Sequence, residues 1–456
     1  MTTLTDPPKE QFRLSMLIYD TRYRSGTIQV IALIGFMLLV SWLISNTAQN
    51  LAALGKPIDF GFLTEPASYD INQRLIDYNS RDTHLRASIV GLLNTLVVAV
   101  LGCATATVIG VVIGVLRLSN NWLVSRIMAV YVEMFRNVPV LLWIVFIMAI
   151  LIDTLPQPRD FRGDDAEASM ILGDSVAITN RGVYIPEPVF GRRGEEGNFT
   201  SWRHGFGDIA IGASESDPDC QSYYAAEGPF AGRPAEGCGV VQVSLDLVAI
   251  IIVLAGGFAV SGWIKRRADH VQESTGDRPT TWYLRLGVVL VPLLLLLWVQ
   301  GLYFAKPELQ GFNFQGGTHL RNSLIALWLA LSLYTAAFIA EIVRAGILAI
   351  SHGQTEAASA LGLRPNRIMS LVILPQALRV IIPPLISQYL NLTKNSSLAI
   401  AVGYMDITGT LGGITLNQTG RELESILLLM VVYLSISLII SMVMNWYNDR
   451  VKLRER

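Results

Sequence analysis

Long apolar runs separated by polar stretches organise this chain, and eight of them are long enough to cross a membrane as helices. They lie at about 28–44, 88–116, 127–152, 240–264, 284–304, 323–344, 372–402 and 426–446. The pattern predicts an all-α polytopic membrane protein with about eight transmembrane helices. Residues 1–27, with Lys9, Arg13, Arg22 and Arg24, precede the first run and are expected to be cytoplasmic by the positive-inside rule. They are too polar and too long to read as a cleaved signal peptide. The second run carries Gly102, Ala106, Gly110 and Gly114 at four-residue spacing, a stripe against which another helix can approach closely, within the chain or across a subunit interface. Pro375, Pro383 and Pro384 are expected to interrupt the seventh run. Transmembrane helices 1–3 thus occupy 28–152, helices 4–5 occupy 240–304 and helices 6–8 occupy 322–446. The tail, 447–456, carries Arg450, Lys452, Arg454 and Arg456, and with eight crossings both termini fall on the positive, cytoplasmic side.

The third and fourth runs are separated by an insert, 153–239, rich in Gly, Pro and acidic residues and with no run able to span. It lies opposite the N-terminus, hence in the periplasm of an inner-membrane protein; its arginines do not contradict this, because long loops translocate largely regardless of charge. Cys220 and Cys238 both fall here, with no other cysteine on that side, which predicts a disulfide between them in a periplasmic cap. The short loop between Cys220 and Cys238, rich in Gly and Pro, is not expected to hold a shape by apolar burial alone. A solvated decoration without a role in transport is the competing reading.

Composition agrees with the pattern: of 456 residues, 52% are hydrophobic and 16% charged, too apolar for a soluble protein. A formal net charge of −1 argues for no nucleic-acid partner. The five histidines are scattered and no metal-ligand spacing appears. No phosphate-binding Gly-x-x-x-x-Gly-Lys-Ser/Thr loop and no hydrolase constellation is present, so no catalytic residues are assigned. Any ATP and Mg that drive transport belong on another polypeptide, and no cofactor is expected in this chain.

The most informative stretch is 351–375, SHGQTEAASALGLRPNRIMSLVILP, a polar, helix-forming segment between two apolar runs. Alanines and leucines favour helix, Gly353 and Gly362 punctuate it, and Pro365 starts a new element, so the pattern predicts helix, turn, helix. Glu356-Ala357-Ala358, then Gly362, then Leu374-Pro375 resembles the EAA loop of the membrane subunits of bacterial ABC importers, with Val372 where Ile is usual. Asn94-Thr95-Leu96, Glu133-x-x-Arg136-Asn137-Val138-Pro139, Glu341-Ile342-Val343-Arg344-Ala345-Gly346 and Lys394-Asn395-Ser396-Ser397-Leu398 extend the resemblance to the polar amino acid uptake branch of these permeases, closest to the larger permease of general L-amino-acid importers. The resemblance implies an importer permease core and, at 345–371, a cytoplasmic loop that docks on an ATPase through Gly353, Glu356, Ala357, Ala358, Gly362 and Arg364. It also implies the partners: a second homologous permease in a heterodimer, two ATPase subunits, a periplasmic binding protein, the L-amino acid itself and the lipid bilayer.

Ionisable groups within spans are costly and need a partner or a water-filled path. One reading gives such groups to the substrate path, with Tyr334, Arg379, Lys394, Asn395, Ser396 and Ser397 as candidates; Tyr334 is equally readable as a packed tyrosine. The other makes structural pins of Glu133 with Arg136 and Glu341 with Arg344, which lie toward span ends. A secondary transporter or channel uncoupled from ATP is the alternative function class; it is expected to show a deep carboxylate relay or an inverted repeat, and neither is evident.

Overall fold

The structure is a computed structural model. It describes residues 21–191, 205–211 and 241–451, except 54, 56, 77, 163–165 and 278. Cys220 and Cys238, and the basic residues at 452–456, lie outside the described residues. The chain divides into two units, 1–62 and 63–456.

The first unit contains α1 (Thr21–Ala53). Its 33 residues give a length of about 50 Å, against a hydrocarbon layer of about 30 Å, so the helix overruns the apolar run at both ends.

The second unit is built around α7 (Asn322–Leu348), the most buried of the long apolar helices. Around it stand α2 (His84–Leu116), α3 (Trp122–Asn137), α4 (Val140–Thr154), α9 (Leu374–Asn395) and α10 (Glu422–Val451). The small-residue stripe of α2 explains its packing on α7. A Cβ at Gly110 would lie 2.7 Å from Ile339 Cβ, and one at Gly114 would lie 2.7 Å from the carbonyl oxygen of Ala340. That part of the stripe is therefore spent within the chain. Thr105 meets Ser332, Gly110 meets Ile339 and Arg117 meets Glu341, so the two helices run in the same direction.

The third expected span is not one helix: α3 and α4 are bent by 106°. Pro139 has no N–H to continue the helix and holds Val138 in an extended conformation, φ −101° and ψ 132°. The seventh expected span begins earlier than its apolar run, with a helical turn at Pro365–Ile368 and a π turn at Met369–Ile373 ahead of α9, and ends in a 3₁₀ segment, Ser396–Val402. Pro383 and Pro384 lie inside α9, which runs through them.

Two further boundaries move. The fourth expected span opens with a strand, β5 (Val241–Ser244), before α5 (Leu245–Thr275), which Ser244 caps by accepting from Leu247 N. The fifth ends early: α6 (Trp282–Val299) stops before Gln300, which is buried and donates to the carbonyl of Asp246 at 3.2 Å. Beyond it Leu302–Ala305 is strand β6.

The insert has an apolar core. Strands β1 (Ala177–Thr179) and β2 (Gly182–Ile185) pair antiparallel, and β2 pairs in turn with β9 (Thr318–Arg321), which leads straight into α7. β3 (Glu187–Phe190) pairs with β6, and β4 (Asp208–Ile211) pairs with β5. A hairpin of β7 (Glu308–Gln310) and β8 (Asn313–Gln315) brings Phe314 onto Ala177 and Tyr184. Phe161, Met170 and Leu309 close this cluster. The loop between Cys220 and Cys238, expected not to hold a shape by apolar burial alone, lies outside the described residues. The strands that complete the insert come from 302–321, a stretch that apolar runs alone leave as a connector.

Candidate functional site: a coupling helix and a polar-faced membrane helix

Helix α8 (His352–Ala360) follows α7 and carries the Glu-Ala-Ala triplet. Its C-terminus is closed by Gly362, φ +77°, whose N–H donates to Ser359 O, while Leu363 N–H donates to Ala358 O. This is the pair of bonds of a Schellman turn, and it requires the left-handed residue that glycine supplies. Ala358 is buried and seats the helix. Gly353, Glu356, Ala357, Gly362 and Arg364 are exposed, and Leu361 at the turn is 82% exposed. Glu356 lies 3.2 Å from His352 Nδ1, one turn back. A large apolar side chain is thus displayed beside small residues on an exposed turn.

Above α8, Glu341 takes Arg344 at 2.8 Å and also Arg117 at the end of α2. The carboxylate therefore ties two helix ends together. The other expected pin takes a different form. Glu133 accepts from Asn137 at 3.3 Å, and the Arg136 guanidinium lies over the Phe338 ring, 5.3 Å from its centroid. A partner four residues on reaches Glu133, while the face of Phe338 on α7 gives Arg136 a cation–π contact in place of the carboxylate.

The expected substrate-path residues do not gather into one site. Tyr334 packs its ring 5.0 Å from Phe338. Arg379 is half-buried and fifteen residues from Lys394 on the same helix, about 22 Å away. Ser396 is buried, donating to Thr393 O at 2.8 Å, and Ser397 donates to Lys394 O at 2.8 Å. Asn395 is half-buried. Lys394 instead belongs to a stripe with Ser387 and Asn391, exposed at helical spacing along α9. Its depth follows from Leu392, which packs at 3.0 Å against the position a Cβ would take on Gly102, midway along α2.

A second polar feature escapes a reading of apolar runs. The segment after the 3₁₀ turn folds back against α2 as a π turn, Thr408–Thr415. Asn94 donates from its amide to the carbonyls of Gln73, at 2.7 Å, and Met405, at 2.8 Å, and Thr95 accepts from Ile407 N at 3.1 Å. Asp406, fully buried, accepts from Gly409 N at 2.8 Å and from the Tyr433 hydroxyl at 3.2 Å. A Cβ at Gly91 would lie 2.8 Å from Asp406 O, so the segment touches the backbone of α2. The available signal was an aspartate in a glycine- and threonine-rich stretch opposite Asn94-Thr95.

The geometry is that of a helical membrane domain with a short exposed helix between two long apolar helices and a polar stripe exposed along α9. The signature of the binding-protein-dependent transport system inner membrane components matches residues 248–454. The chain is 53% identical over its whole length to the whole of the glutamate/glutamine/aspartate/asparagine transport system permease protein BztB of Rhodobacter capsulatus. It is 40% identical, over 98% of its length and 96% of the relative's, to the general L-amino acid transport system permease protein AapQ of Rhizobium johnstonii. The probable glutamine ABC transporter permease protein GlnM of Bacillus subtilis is 40% identical over only 35% of this chain but 69% of its own, so likeness to that relative stops well short of the full length. The chain belongs to the family of binding-protein-dependent transport system inner membrane components, as a permease subunit of the amino acid ABC importer kind.

Proposed function

We propose that this chain forms the translocation path for L-amino acids in the bacterial inner membrane, jointly with a second homologous permease. A periplasmic binding protein delivers the amino acid, and two ATPase subunits, which carry the ATP and Mg, drive transport through α8. Both termini face the cytoplasm on this reading. The names of the two full-length relatives support L-amino acids as the substrate class. The observation that carries the path is the stripe of Ser387, Asn391 and Lys394, exposed on the single chain at the depth of mid-α2. An ammonium there is strongly disfavoured against hydrocarbon, and so the stripe faces water or another subunit. The observation that carries the coupling is the exposed Leu361 on a helix held by a glycine turn.

The test is co-purification of the chain with its ATPase and uptake in proteoliposomes that contain the complete importer. Leu361→Asp and Glu356→Lys are expected to release the ATPase and abolish uptake. Gly362→Ala meets nothing within 4 Å but forces a side chain into φ +77°, at a cost of about 1–2 kcal/mol, and is expected to weaken both readouts partially. Normal ATPase retention in the first two variants would refute the docking role of α8.

A further inference from the structure

Helices α5 and α6 form a hairpin whose outer end gathers cations and aromatic rings at one level. The helices touch closely at Gly257, where a Cβ would lie 3.2 Å from Val289 Cα, and near the end Arg285 Nε donates to Ser261 Oγ at 3.2 Å. The apolar part of α5, 245–264, is twenty residues or about 30 Å, the thickness of the hydrocarbon layer. The helix does not stop there but continues to Thr275, which fixes Lys265, Arg266 and Arg267 on a rigid support just where headgroups begin. All three are exposed, and Arg267 lies over the Trp263 ring, 5.5 Å from its centroid. On the facing helix Trp282 and Tyr283 are exposed beside Arg285. Trp and Tyr favour the membrane–water boundary, which places the cations at phosphate height.

We propose that this end of the hairpin, with Lys265, Arg266, Arg267 and Arg285 around Trp263, binds the headgroup of an anionic phospholipid. Lys265, Arg266 and Arg267 are exposed on an apolar surface instead of enclosing a cradle, with Arg285 half-buried and tied to Ser261 beside them, which suits a phosphate tethered to acyl chains. Those chains have a bed in the exposed Phe258 and Val260 of α5 and Leu286, Leu290 and Leu294 of α6. Asp269 stands about half a turn and Glu273 nearly two turns past Arg267, away from the apolar run, and Glu273 is 3.4 Å from His270. They set the outer limit of the site and repel a phosphate that lies further from the bilayer.

The experiment uses the full-length chain in nanodiscs of phosphatidylcholine with a minor fraction of phosphatidylglycerol, and measures by mass spectrometry the lipid retained on release into detergent. Wild type is expected to enrich phosphatidylglycerol, with enrichment falling as salt is raised. At about a factor of five per cation, the triple variant Lys265→Gln, Arg266→Gln, Arg267→Gln is expected to bind on the order of 100-fold more weakly. Arg266→Lys with Arg267→Lys is expected to stay within a few-fold of wild type. Equal retention by wild type and the glutamine variant overturns the proposal, as does a wild type without preference for the anionic lipid. Displacement by inorganic phosphate in the millimolar range overturns the lipid assignment in favour of a soluble anion. If the glutamine variant does not fold, the salt and phosphate titrations of wild type decide alone.

Discussion

Single side chains hold the folded-back segment at 403–421, and Asn94 does the most with one group. Its amide offers two N–H donors, and the carbonyls of Gln73 and Met405 take one each, while its own backbone carbonyl accepts the Tyr404 hydroxyl at 3.1 Å. Asn94→Ala leaves two carbonyls without these donors at a cost of about 1–3 kcal/mol each where water cannot replace them. We expect a lowered melting temperature in detergent and faster hydrogen exchange across 403–415. Asp at the same position, with at most one proton to give, is expected to restore no more than half of the loss. Unchanged exchange in Asn94→Ala would show that the π turn is held by Thr95 and Asp406 alone. Asn94 was visible in the sequence as part of a motif, but Asp406 was not assigned. Its surroundings come from α2 and α10, and the Asn94–Met405 bond spans 311 positions, beyond the reach of any local pattern.

At the scale of elements, the apolar runs made most spans legible because burial in lipid selects continuous hydrophobicity, whatever the helix does afterwards. They hid the break at Pro139, because apolar residues resume at once after it, from Val140, and the two helices read as one run. They also hid the strands of the insert, which are three or four residues long and whose central pairing joins β2 to β9 across more than a hundred positions. Strands that short are specified by their neighbours more than by their own residues. His319 on β9 tests this joint. Its ring stacks on Tyr184 with centroids 4.1 Å apart, and Nε2 donates to Arg181 O at 3.1 Å. Burial, with Arg321 nearby, pushes the imidazole below its ordinary value of 6.5, although the bond to Arg181 works the other way. The unfolded strand then binds a proton more readily than the folded one, so stability is complete above 6.5 and is lost as the pH falls below it. The protection of β2 and β9 against hydrogen exchange, corrected for the intrinsic rate at each pH, is expected to fall on the acid side between about pH 5 and 7. His319→Phe retains the stacked ring, loses the bond to Arg181, and is expected to flatten that pH dependence. A slope of equal size in the variant would assign the titration to another group.

For the whole molecule the decisive question is what lies against the outer face of α9. Inside the chain, α7 is surrounded, the small residues of α2 are spent on it at Gly110 and Gly114, and Glu341 ties the two helix ends together. The internal packing therefore leaves Ser387, Asn391 and Lys394 facing outward. A permanent lipid contact there is the costliest arrangement for an ammonium and the easiest to exclude. If the stripe lines a path closed by the second permease, its cation attracts the α-carboxylate of a passing amino acid. Lys394→Met is then expected to lower uptake by at least tenfold, corresponding to about 1.4 kcal/mol of lost interaction, with ATPase retention and basal hydrolysis unchanged. Lys394→Arg, which retains the charge in a larger planar group, is expected to fall between the two. Uptake by Lys394→Met equal to wild type across acidic, neutral and basic amino acids, in an importer that assembles normally, would show that the charge serves the fold and not the cargo.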